Sequence, residues 1–99
     1  MDDEPLEARV GRRLREARLT AGLTVREAAE AAGIPHHSLL VRYENSAARP
    51  PLERLGALAG AYGTTVAALL AERDEVVPLI AQIERADVAV LQRLLAALR

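Results

Sequence analysis

Two adjacent histidines, His36 and His37, and five arginines between Arg9 and Arg18 against the single Glu16 are the side chains best equipped for chemistry. Imidazoles ligate metals, but neighbours on a helix point about a hundred degrees apart. The chain offers no cysteine and no third histidine to complete a site. No metal and no cofactor are therefore expected. Guanidinium groups grip phosphates and guanine edges with paired donors, so the arginines point to an anionic partner. No paired carboxylates on a cleft, activated nucleophile or phosphate-cradling loop stands out, so an enzyme is not expected.

The 99 residues suit one small domain with a short appendage. Half of them are hydrophobic, nearly all Ala, Leu, Val and Ile, with two Tyr and neither Phe nor Trp. Every basic residue is Arg, and the net charge of −1 argues against a general polycation while leaving room for a local basic patch. Without cysteine there is no disulfide or thiolate chemistry. No apolar run is long enough to span a bilayer. The opening MDDEPLEAR is acidic where a secretory signal would be basic. A cytoplasmic protein without a membrane partner is the expectation, and so small a chain gains from burying area in an oligomer.

These side chains must be held by helices, because the apolar spacing is three-to-four and no strand pattern occurs. An acidic leader, 1–5, closes at Pro5. Leu6, Val10, Leu14 and Ala17 mark a first helix that ends at Ala21-Gly22, with Arg9, Arg12, Arg13 and Arg15 on its other sides. Thr24 caps a second helix and Glu27 completes a capping box. Alanines 28, 29 and 32 permit close helix approach, and the helix stops at Gly33. Pro35 suits the first turn of a third helix, from about His36 to Glu44, with Ile34, Leu40 and Tyr43 inward. Leu52, Leu55, Leu58, Ala59 and Tyr62 define a fourth, and Thr64 or Thr65 opens a short fifth with Val66, Leu69 and Leu70. Beyond it, 74–99 reads as two amphipathic helices carrying Val76, Val77, Leu79, Ile80 and Ile83, then Val88, Leu91, Leu94, Leu95 and Leu98. These residues either form a dimer interface, the favoured reading, or fold back onto helices 1 and 5.

The segments LTVREAAEAAGI, LVRYENS and RPPLERLGALAGAYGTTVAALL together resemble the helix-turn-helix domain of the Cro/C1 repressor family, the XRE family. The resemblance covers roughly residues 7–71. It implies an all-α fold: a five-helix lambda-repressor-like domain over 6–71, followed by the two-helix tail. It also implies a structural ion pair between Arg18 and Glu44. This chain departs from the family in three places: Val25 stands where a phosphate-binding Gln is usual, one extra residue falls around Pro35-His36, and Ser46 replaces the usual Gly after Glu-Asn.

In the family's register the exposed face of helix 3 carries His36, His37, Ser38, Val41 and Arg42, the expected base contacts, with Leu39 on the flank. Arg42 is the foremost of these. Thr24, Arg26, Asn45, Ser46 and Arg49 are the expected phosphate contacts. Arg12, Arg13 and Arg15 are expected either to add a diffuse positive field or to be solvated or paired with Glu16 and Glu30. The function this implies is a sequence-specific transcription regulator, a repressor in the first instance. It would bind double-stranded DNA at an inverted repeat as a homodimer. The alternative is a protein-interaction module, such as an antitoxin or a switch protein. Its tail and helix 3 face would then bind a toxin or an anti-repressor.

Overall fold

The computed structural model describes residues 4–99. Pro5, Thr24, His36, Pro51 and Thr65 hold extended backbone and open the first five helices. These are α1 (Leu6–Thr20), α2 (Val25–Ala31), α3 (His37–Glu44), α4 (Leu52–Tyr62) and α5 (Val66–Leu70). A single 3-10 turn, Asp74–Val76, leads into α6 (Val77–Arg85) and α7 (Val88–Ala97). The fold is all-α: no strand occurs among the described residues. Of the acidic leader, residues 1–3 lie outside the described residues, whereas the Glu4 carboxylate accepts from Arg12 at 2.8 and 3.0 Å.

Where these helices stop is as local as where they start. Thr24 accepts from the Glu27 amide at 3.1 Å and the Glu27 carboxylate accepts from the Thr24 amide at 2.9 Å, the reciprocal box its sequence predicts. Four helix ends then close in the same way. The amides of Leu23, Ile34, Ala47 and Thr64 reach back to the carbonyls of Arg18, Ala29, Arg42 and Ala59. The residue just before each of these donors has a left-handed backbone: Gly22, Gly33, Ser46 and Gly63. Three of the four positions use glycine, which adopts that conformation without a Cβ penalty; Ser46 does so at φ 63°.

The core forms where α1 to α5 converge. Leu14, Leu40 and Leu58 are fully buried, with Val10, Ala28, Ala29, Ile34, Tyr43, Leu55, Ala59, Tyr62 and Leu69 around them. Small residues set the spacing. A Cβ on Gly11 would stand 2.6 Å from the Glu44 carbonyl oxygen and 2.8 Å from that of Tyr43. The backbones of α1 and α3 therefore touch directly.

The structure corrects the sequence-based expectation at both ends of the polarity scale. Arg13, expected on the solvent side of α1, is only 3% exposed. Three residues after Val10, it lies on the same buried stripe. Its Nη1 donates to the carbonyls of Ala68, Leu69 and Ala71 where α5 ends, and the Ala68 carbonyl also accepts from the Ala71 amide at 3.4 Å. Leu52, expected to point inward, is 76% exposed because it begins α4 above the core, and Leu6 and Leu70 are also exposed.

The tail divides into two unequal parts. α6 lies against α5, and Arg85 at its end donates to the Gly63 carbonyl. No residue of α6 or α7 is buried. Leu79, Ile83, Val88, Leu94, Leu95 and Leu98 are exposed, while Val76, Ile80 and Leu91 are half-covered. Asp87 caps α7 by accepting from the Val90 amide at 2.9 Å. Between α6 and α7 runs a groove lined by Leu79, Ile83, Val90, Leu94 and Leu98.

Candidate nucleic-acid interface

α2, the turn at Gly33 and α3 form a two-helix unit whose inner faces are fixed and whose outer face is free. Ala28 and Ala29 lie buried against it, and Ile34 closes the turn by bonding to Ala29 at 2.8 Å. Leu40 and Tyr43 pin the inner side of α3. The Tyr43 hydroxyl accepts from Arg54 at 3.0 Å. His36, His37, Ser38, Val41 and Arg42 all face solvent, and Leu39 is half-buried against the core. The outer face thus carries two imidazoles, a hydroxyl, one branched apolar group and a guanidinium, a set able to meet base edges and thymine methyls.

A buried ion pair holds α3 in place from behind. Arg18 Nε and Nη2 donate to the Glu44 carboxylate at 2.7 and 3.1 Å, and Nη1 donates to the Leu23 carbonyl at 3.0 Å. The two-pronged geometry ties the end of α1 to the end of α3, and the carboxylate raises the Arg18 pKa. The Tyr62 hydroxyl nearby is buried without a hydrogen-bond partner among the described residues. Burial, and then the negative charge of Glu44, push its pKa up to about 12.

The flanking groups divide by how committed they are. At the start of α2, Thr24 Oγ1 already accepts the Glu27 amide, which leaves its O–H free to donate. Glu27, held below its ordinary pKa by the Thr24 amide, brings a negative charge to this helix end. Val25 is half-buried and packs on the core, whereas Arg26 is exposed. Arg26 and His37 also border a shallow depression with Glu30 and Pro35. After α3, Asn45 is the C-cap, and the Ser46 hydroxyl donates to the Glu7 carbonyl at 3.4 Å. Arg42 donates to the Ala47 carbonyl at 3.3 Å, and Arg49, 82% exposed, pairs with Glu7 at 3.1 Å. Arg42 and Arg49 thus rest on weak, exposed partners that an anionic ligand can displace.

The α1 arginines contribute less field than their number suggests. Arg12 serves Glu4, Glu16 and Asp74, and Arg13 serves Asp74 and the end of α5. Arg15 remains exposed and forms no ion pair among the described residues. Sequence reasoning missed the role of Asp74, which lies beyond the fifth helix yet reaches back to α1. No group of His, Asp or Glu able to hold a metal occurs among the described residues.

A family model described as a helix-turn-helix domain matches residues 9–75, from the second turn of α1 to the 3-10 turn that contains Asp74. No curated protein and no solved structure matches the chain.

Proposed function

Because the chain belongs to the helix-turn-helix domain family, a family of DNA-binding regulators, we propose that it is a sequence-specific transcription regulator of the Cro/C1 type. In this reading it acts as a repressor, with two copies holding an inverted repeat and α3 of each in a major groove. The observation that carries the reading is α3 itself. Its inner face is immobilised by Leu40, Tyr43 and the Arg18–Glu44 pair, while His37, Ser38, Val41 and Arg42 stand open to solvent. Thr24, Arg26, Asn45, Ser46 and Arg49 flank that face and are proposed to hold phosphates on either side. Arg12, Arg13 and Arg18 of α1 are committed to carboxylates, so a single copy with few phosphate contacts would grip DNA weakly at physiological salt. Two copies joined through the tail restore affinity.

Selection of bound duplexes from a random pool tests this directly. The expected result is an enriched palindrome, with half-sites about one helical turn apart. A pool that shows no enriched motif would overturn the proposal. One observation favours a second reading, a protein-interaction module such as an antitoxin or a switch protein: α6 and α7 carry exposed leucines and no buried residue. Stable capture of a toxin or an anti-repressor by a protein that selects no DNA motif would favour it.

A further inference from the structure

Asp74 stands where the helix-turn-helix body meets the tail. Its Oδ1 accepts from Arg13 Nη2 at 2.9 Å and Nε at 3.3 Å, and from Arg12 Nη2 at 3.0 Å. The two arginines tie this one carboxylate to three other places. Arg12 binds Glu4 ahead of α1 and Glu16 within it. Arg13 passes through the interior to the carbonyls that end α5. A second anchor lies at the far end of α6, where the Arg85 guanidinium donates to the Gly63 carbonyl in the turn between α4 and α5. α6 is therefore clamped before its first residue and at its last, with its flank on α5. A nine-residue helix spans about 13 Å. Two attachments that far apart remove the rotation that one attachment would allow.

We infer that Asp74 and Arg85 are positioning residues, which lock α6 in one orientation on the helix-turn-helix body and so fix the separation of the two reading helices in a dimer. The inference rests on the homodimer reading proposed above. The reasoning is geometric. If copies join through the tail, α6 is the first link by which each α3 is placed relative to the other. One added base pair moves the second half-site by about 3.4 Å and about a tenth of a turn. A clamped α6 cannot follow that change, whereas a loosened one can. The energy held in the clamp need not be large. Asp74 is half-exposed, and Arg13 keeps its carbonyl partners when the carboxylate is neutralised. Orientation rather than stability is what the clamp supplies.

The test uses the full chain and duplexes in which the selected half-sites are separated by spacers of graded length. Wild type is expected to prefer one spacer over those one base pair longer or shorter by roughly tenfold. Asp74→Asn and Arg85→Gln are each expected to reduce that preference to under about threefold. Both should still sediment as dimers and melt as folded proteins. A spacer profile unchanged in both variants would overturn the clamp alone. Variants that become monomeric would overturn it too, since the residues would then act on assembly. A wild type that selects no paired half-sites would instead overturn the two-copy reading beneath it.

Discussion

At Gly11 there is no room for even one methyl group, because the atoms facing it are backbone oxygens of α3 rather than a side chain that can swing away. Gly11→Ala should destabilise the fold by about 1–3 kcal/mol, outweighing the roughly 1 kcal/mol that alanine gains as a helix former. Ser46 is the opposite case. Its left-handed backbone favours glycine, and its one side-chain bond, to Glu7, is long. Ser46→Gly should raise stability by about 0.5 kcal/mol, the relief of strain being partly offset by the freer unfolded chain. Denaturant melts of both variants check the two signs, and a stabilising Gly11→Ala would refute the close approach of α1 and α3. Arg42 differs from both, because among the described residues its guanidinium holds only a loop carbonyl. Arg42→Ala should weaken binding to a selected operator by about 1–3 kcal/mol and leave the helical circular dichroism intact. Unaltered affinity would remove Arg42 from the interface.

Helices were legible in the sequence because their signals are local. The Thr24–Glu27 box, the glycines at 22, 33 and 63, and the three-to-four apolar spacing each act within one or two turns. Arg13 was not legible from polarity. A charged residue three positions after a core valine reads as surface unless one knows that carbonyls at the end of α5 lie opposite. Leu52 fails for a related reason: its spacing fits the stripe, but the first turn of α4 rises beyond the core that the stripe faces. At the candidate interface the solvent-facing residues of α3 followed from the register that the family resemblance implies, whereas the bonds of Arg49 to Glu7 and of Arg42 to Ala47 depend on how the following loop folds back. The tail was legible as two amphipathic helices. α7 buries none of its leucines, so deleting residues 87–99 should leave the domain folded but convert a dimer to a monomer in sedimentation. A persistent dimer would move the interface to α6 or to the body.

Among the described residues, three carboxylates are held below their ordinary pKa: Asp74 first by Arg13, Glu4 first by Arg12, and Glu27 first by the Thr24 amide. A carboxyl whose folded value is depressed stabilises the fold above its unfolded value and stops doing so as pH falls through the folded one. Stability should therefore be flat near neutrality and decline below about pH 4. Tyr62 acts at the other extreme. Its folded value is raised, so its contribution is intact below the unfolded pKa of about 10 and is lost as pH climbs through about 12. Melting temperature measured against pH checks both limbs. Asp74→Asn should flatten the acid limb, and Tyr62→Phe should flatten the alkaline one. An identical acid slope in Asp74→Asn would contradict the depressed pKa of that carboxylate.

With neither tryptophan nor phenylalanine in the chain, its aromatic absorption and emission come from two tyrosine rings alone. Both rings are buried, Tyr43 on the inner side of α3 and Tyr62 at the end of α4. The molecule thus carries its own optical gauge of how α3 is seated. Any ligand that shifts α3 against the body changes the surroundings of one ring in two. The event can be followed in unlabelled protein, with Tyr62→Phe leaving Tyr43 as the sole reporter.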